Sequence, residues 1–472
     1  MANTYLTRSI SSTSTPNKMT VSFWLKGGQV SSTQQSIFSI YNTANANLFW
    51  TIYFSSNGSM YLYWKDTSEV CTLGTLQKFT DTQGWYHFVW EMDTTLATAA
   101  DRIKMYINGE RVTDFEDSLG TITQSKTMDM MENTNGRITI GRGATGSSDY
   151  YWDGLLSHFH YCDGYAYSAS SFGSTDSTTG EWKINTGPSV SYGTNGFFML
   201  KDDASLNDDS GQTNNFTLGG GTITPTQDNP SNSFCTISPL DNMSANNTTV
   251  PGKLENANLS FTNNDSNQIY TRGTIGVKSG KYYWEAKQGS GTAWAIGICV
   301  EAMLTQTNNQ FWDTTTVTGV AVNGSSGTLY LNGGQSDSWN TGISVNANTI
   351  YGFALDVDNR AFYVHVNGTY LTANSNVGDP TSGSSRTGSV LGELTTRGGT
   401  GGLNYIPVDE YIYPFMGDLS TSNSTNLQMN FGNGYFATSA ISSEGTNAAG
   451  HGKFEYNVPT GYTALCTKGL NE

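Results

Sequence analysis

Residues Gly352–Leu371 read GFALDVDNRAFYVHVNGTYL. Phe353, Leu355 and Val357 alternate with small or polar residues, Asp358-Asn359 interrupts, Ala361–Val366 continues, and Asn367-Gly368 leads into a third short run. A period of two is the mark of a half-buried strand. Asn-Gly between two such runs predicts a hairpin, because both residues tolerate the positive φ of a type I′ turn. The stretch therefore predicts a three-stranded meander. The same plan occurs earlier, with Trp85–Asp93 (WYHFVWEMD), Arg102–Ile107 (RIKMYI), then Asn108-Gly109 and Glu110–Val112. One meander in each half predicts two β-sandwich domains in tandem.

The remaining composition agrees. The chain has 472 residues, enough for two or three domains that each bury a core. Glycine is abundant (53), proline scarce (10), and only 13% of residues are charged. Short apolar runs are separated by Gly, Asn, Ser and Thr, with no sustained helical period. The expected fold class is all-β, two tandem antiparallel β-sandwiches joined by an extended linker. The net charge of −16 argues against a nucleic-acid partner, which needs a basic face. It suits a surface protein or one that collects divalent cations. Cys71, Cys162, Cys235, Cys299 and Cys466 are odd in number and widely spaced, so they are read as buried free thiols. The first residues contain no apolar signal segment, and no apolar run is long enough for a membrane span, so neither secretion by a leader nor membrane insertion is expected.

SFWLK at Ser22–Lys26, GWYHFVWEMD at Gly84–Asp93, IKMYINGE at Ile103–Glu110, ITIGR at Ile138–Arg142 and YWDGLLSHFHYCDGYAYSASSFG at Tyr151–Gly173 together resemble the laminin-G-like, concanavalin-A-like jelly roll. That resemblance covers about residues 1–175. The following segment, 172–216, with Thr179-Gly180-Glu181-Trp182 and Tyr192–Phe197, resembles a connector of bacteriophage and marine viral structural proteins. Gly196–Leu200 is expected to return to the first sandwich. Gly219–Gly221 and Pro225, Pro230, Pro239 and Pro251 mark residues 217–257 as linker. Residues 258–466 resemble a SPRY domain, with Gly280–Glu285 (GKYYWE), Trp294–Cys299 (WAIGIC), Tyr411–Met416 (YIYPFM) and Leu427–Gly432 (LQMNFG) in the family's order. The boundaries are thus 1–216, 217–257 and 258–472. Within the third segment, Asp379–Gly402 is expected to be a mobile loop.

Glycoside hydrolysis requires two carboxylates flanking the bond. Laminarinase-like enzymes of the concanavalin fold carry a Glu-x-Asp-x-Glu motif, and Glu91-Met92-Asp93 lacks the second glutamate, so no enzyme is expected. His158 and His160 could approach a metal from one strand face, but no neighbouring ligands complete a site, and they are read as structural. Calcium wants several hard oxygen ligands. Asp202, Asp203, Asp208 and Asp209 in the loop Lys201–Gly211 are the candidate set, alongside the alternative of a solvated acidic loop. The resemblance to laminin-G-like domains, which often hold Ca²⁺ at the sandwich rim, supports the ion. Sugar binding needs an exposed ring with polar neighbours. Trp152-Asp153, Trp312-Asp313 and Trp339-Asn340 are such pairs beside turns, against the alternative of rim packing, while Trp24, Trp90 and Trp284 sit in strand alternation as core. By analogy with SPRY loops, Tyr405 joins the candidates.

The resemblances imply a non-enzymatic phage protein on the virion surface, in the tail or as a capsid decoration. It would be made in the host cytoplasm and bind other virion proteins and a host surface glycan or protein, many copies attaching by multivalency. A homo-oligomer, such as a trimer, is expected. The alternatives are a purely architectural virion protein and a glycan-degrading enzyme.

Overall fold

The computed structural model describes residues 3–27, 33–67, 69–132, 134–143, 150–201, 205–240, 243–244, 253–263, 269–291, 294–300, 319–324, 328–331, 346–373, 375–390, 409–418 and 425–471. It divides into two compact units, Met1–Pro225 and Thr226–Glu472. The described chain is nearly all β, with sheets that are antiparallel apart from one short parallel pairing and with 3₁₀ turns as its helices.

The first unit pairs a sheet of eight strands with one of six. The strands are β1 (Tyr5–Ser9), β2 (Lys18–Gly27), β3 (Gln35–Asn42), β4 (Phe49–Phe54), β5 (Ser59–Lys65), β6 (Val70–Lys78), β7 (Tyr86–Asp93), β8 (Ile103–Ile107), β9 (Glu110–Val112), β10 (Phe115–Leu119), β11 (Gly136–Ile140), β12 (Gly154–Asp163), β13 (Gly173–Thr175), β14 (Trp182–Ile184), β15 (Phe197–Met199) and β16 (Thr217–Gly220). The order is β10-β6-β5-β4-β3-β11-β1-β16 in one sheet and β15-β12-β2-β7-β8-β9 in the other. Alternate residues face inward, so Phe23, Trp50, Trp64, Trp90, Phe159 and Phe197 fill the space between the sheets. The predicted meander is present, and Asn108 (φ 47°) and Gly109 (φ 87°) make its turn. The return strand is also present, since β15 pairs with β12.

The faces of β12 differ from a simple alternation. Strict period two groups Leu155, Ser157, Phe159 and Tyr161. A bulge lies between Ser157 and His160, with His158 at φ 46°. The extra residue swaps the two ends of the strand, a register effect that sequence periodicity cannot see. Leu156 therefore packs on the same core as Phe159 and Tyr161.

The outer face of the six-stranded sheet is covered, not solvated. Cys162, Phe172, Tyr192 and Phe198 form a second small core there, with Trp182 packed against it. His87 is stacked between Trp24 (4.8 Å) and Trp182 (6.0 Å). The Trp182 indole N–H donates to His87 Nδ1 at 3.0 Å, so the neutral ring offers its Nε2 hydrogen to Ser22 Oγ at 2.9 Å. Burial holds His87 down at about 3 and keeps it neutral. His158 and His160 also belong to this cover. Ser157 Oγ lies 2.8 Å from His158 Nδ1, and Tyr192 Oη lies 2.9 Å from His160 Nδ1.

In the second unit, one sheet runs Met243–Ser244, Ile269–Arg272, Ile412–Asp418, Trp294–Val300, Gly319–Asn323, Thr328–Leu331. The other runs Lys253–Glu255, Ser260–Asn263, Thr425–Asn430, Lys281–Ser290, Ile350–Asp356, Ala361–Val366, Thr369–Tyr370, with Thr463–Ala464 lying parallel beside Lys281–Ser290. Asn367 (φ 48°) and Gly368 (φ 83°) close the hairpin that the opening stretch predicts. Glu285 is wholly buried on this second sheet. Its carboxylate accepts from Glu455 N (2.9 Å), Tyr456 N (2.8 Å), Tyr283 Oη (3.0 Å) and Asn430 Nδ2 (3.2 Å).

Two expectations about irregular chain are corrected. The stretch 217–257 is folded where it is described. β16 pairs with β1, and Phe234, Cys235 and Ile237 are buried in the second unit. Their apolar side chains and the need to pair backbone groups outweigh the linker-like composition. The segment from Asp379 is packed as far as 390, through a capped 3₁₀ turn at Pro380–Ser385 and buried Ser389 and Val390. Residues 391–402 lie outside the described chain. All five cysteines are buried thiols outside any disulfide.

Candidate functional site

The two sheets of the first unit part at one end of the sandwich. There the end of β2 (Leu25, Gly27), the start of β3 (Gln35), the end of β4 (Phe54, Ser55), the segment from Phe79 to Tyr86 and Trp152 just before β12 surround a cleft of about 480 Å³, open solvent included. Pairing explains the convergence, because Leu25 faces Tyr86, Gly27 faces Gly154 and Gln35 faces Phe54 across their ladders.

Its walls are aromatic. Trp152 stacks on Phe54 with centroids 5.7 Å apart. Phe79 meets Phe54 at 5.7 Å and Tyr86 edge-on at 5.2 Å. All four rings are half-buried, resting on the core while keeping a surface open. Asp81 is exposed at the lip, where its carboxylate accepts from Gln83 N at 2.8 Å. Burial, with Asp81 adding to it, raises the Tyr86 phenol above its ordinary value. Thr82 lines the cleft at 4% exposure, and its hydroxyl meets no partner. The Trp152 indole N–H is also buried without one. Such groups cost stability unless water or a ligand satisfies them.

Gly154 sets the tryptophan's position. A Cβ there would lie 2.5 Å from the Trp152 ring and 2.5 Å from the Lys26 carbonyl oxygen. The ring could turn away, but the β2 backbone cannot. Gly154→Ala is expected to lower the stability of the first unit by about 1–3 kcal/mol and to expose Trp152. Thermal melting together with quenching of tryptophan fluorescence checks both.

Among the described residues, Trp152 is thus the candidate sugar-binding ring that lines this cleft. Asp153 follows it, half-buried. Trp312, Asp313, Trp339, Asn340 and Tyr405 lie outside the described residues, as do Asp202 and Asp203 of the acidic loop. Asp208 and Asp209 are described. Asp208 uses both oxygens on its own chain, accepting from Phe198 N, Ser210 N, Ser210 Oγ and Asn214 N at 2.8–2.9 Å. Asp209 is exposed. Among the described residues no three His, Cys, Asp or Glu side chains are grouped to hold a metal. Glu91 is engaged by Lys104 (2.8 Å) and Tyr106 (2.9 Å), and Asp93 by Lys18 (2.8 Å).

Residues 2–171 match the family model described as the concanavalin A-like lectin/glucanases superfamily. The first unit has a concanavalin A-like fold. No curated protein sequence matches the chain. Among solved structures, the chain is similar to the native heptameric SAP-like pentraxin from Limulus polyphemus (17% identity, 35% of this chain and 72% of that one, TM-score 0.26). It is also similar to the SPRY domain of human HERC1 (14% identity, 41% and 96%, TM-score 0.27). A third is the mouse laminin alpha1 chain, domains LG4-5 (6% identity, 94% and 90%, TM-score 0.30).

Sequence reasoning missed Phe54, Phe79, Asp81, Thr82 and Tyr86 as neighbours of Trp152 in the concanavalin A-like unit. Each stands at or just beyond a strand end, where alternation stops carrying information. The usable signal was the recurrence of an aromatic residue at several strand ends, at Phe54, Phe79 and Tyr86.

Proposed function

We propose that the protein is a non-enzymatic binding protein whose concanavalin A-like unit engages its ligand at the aromatic cleft. The observation that carries this reading is the cleft itself. Four half-buried rings meet where the sheets part, with Gln35, Ser55 and the exposed Asp81 among the lining residues. Clefts of this kind, mostly apolar with a few convergent polar groups, are the usual form of ligand sites. In our reading the ligand is a glycan or protein on a host cell, and the protein is displayed on a phage particle as a homo-oligomer beside other virion proteins. The resemblance of residues 172–216 to phage structural connectors supports that setting.

Purified protein should bind whole bacterial host cells or an arrayed glycan saturably. Trp152→Ala should weaken that binding about tenfold or more, since a central aromatic anchor carries much of a contact's free energy. Unchanged binding by a folded Trp152→Ala protein would remove the cleft from the reading.

A further inference from the structure

We propose that the group entering this cleft is an alkylammonium cation of the choline type, held by the four rings and by Asp81. The inference rests on the reading of the cleft as a ligand site and names the chemistry it selects. Phe54 and Trp152 form one stacked pair, and Phe79 and Tyr86 form an edge-on pair around the same opening. Aromatic faces present negative quadrupole charge, and several rings around one space attract a cation that is too weakly hydrated to resist entry. Charge complementarity points the same way. Among the described lining residues Asp81 is the single charged side chain, and none of them is a lysine, arginine or histidine. The whole chain carries −16, which raises the local concentration of cations. A neutral sugar would use the rings but leave Asp81 without a counter-charge.

The test titrates the full chain with choline chloride and with 3,3-dimethylbutan-1-ol, which has the same shape and no charge. Tryptophan fluorescence and calorimetry are the readouts. We expect saturable choline binding, with the neutral isostere weaker by about tenfold or more, the range of a partly desolvated cation–π site. Asp81→Asn changes an exposed side chain, keeps the fold, and should weaken choline about fivefold while leaving the isostere unchanged. Vesicles of phosphatidylcholine form a second arm. Binding to free choline alone assigns a soluble or polymer-borne group, and binding to both assigns a lipid head, each through the same site. Equal affinity for choline and its isostere, or an unaffected Asp81→Asn protein, overturns the cation. If cells or glycans still bind in a Trp152-dependent way, the ligand cleft stands and only its cationic specificity fails. Were neither ligand sensitive to Trp152→Ala, both readings would fall together.

Discussion

Replacing Glu285 with alanine should destabilise the second unit by about 4 kcal/mol at pH 5, the scale for leaving several buried donors unpaired. Glu455 N, Tyr456 N, Tyr283 Oη and Asn430 Nδ2 all point at the carboxylate. The arrangement extends further. Gly368 N donates to His365 Nδ1 at 3.1 Å, so the neutral imidazole carries its hydrogen on Nε2 and offers it to Tyr283 Oη, 2.7 Å away. Tyr283 then donates to Glu285. Every hydrogen in the relay runs toward the carboxylate. Even so, burial prevails and lifts the Glu285 carboxyl from 4.5 to about 7.

The sign of the pH dependence follows. A carboxyl that binds its proton more tightly in the folded state stabilises fully below the unfolded value. That contribution is lost as pH rises through about 7. The cost of Glu285→Ala should therefore shrink by about 3 kcal/mol between pH 5 and pH 8. His365 acts in the opposite direction. Burial lowers it to about 3, so its contribution is present above 6.5 and fades as pH falls toward that value. Hydrogen exchange of Lys281–Ser290 and of the segment around Tyr456, compared at the two pH values, reads the effect. A cost that is the same at both would show that Glu285 is ionised throughout.

Arg8→Met in the first unit should cost about 3–5 kcal/mol, as expected when one member of a buried charged network is removed. Arg8 faces inward from β1 and is 7% exposed. Its guanidinium donates to the Asn195 carbonyl (3.0 Å) and to the Asn214 side-chain oxygen. Asn214 in turn donates to the Thr194 and Gly196 carbonyls at 2.9 and 2.7 Å. Asp163 closes the arrangement, accepting from Ser14 Oγ (2.8 Å) and Asn195 N (3.0 Å). Burial lowers Arg8, while Asp208 and Asp163 raise it. Methionine matches the stem and removes the charge, leaving both carbonyl-type acceptors unpaired. Urea unfolding followed by tryptophan fluorescence measures the loss. A change under 1 kcal/mol would mean that the acidic loop holds itself.

The residues that announced the fold were those whose local chemistry leaves few choices. Asn108-Gly109 and Asn367-Gly368 each require a turn that few other pairs can make, and both lie where two strands meet. The alternating runs of β7 and of Ile350–Asp356 place their large residues on one side as their period demands. What stayed hidden depends on partners far along the chain. Trp152 was visible as a ring beside a turn, but its neighbours at Phe54 and Phe79 are about 100 and 70 residues away in sequence. Asp208 looked like a cation ligand because composition shows oxygens without showing the amides that occupy them. The His158 bulge could not be foreseen, since one added residue leaves the hydrophobic pattern almost unchanged while exchanging faces.

The cover over the six-stranded sheet bears on inheritance. The family match ends at residue 171, yet Trp182, Tyr192 and Phe198 lie beyond it and seal His87 and Cys162 from water, and β16 lies beyond it as well. A gene exchange that cut at the edge of the recognised family would strip an apolar sheet face bare and leave β1 with an open edge. The piece that can pass intact between genomes is the longer one, from the first strand through Gly220. The sequence after 171 is then cargo that must travel with the jelly roll, however little it resembles one.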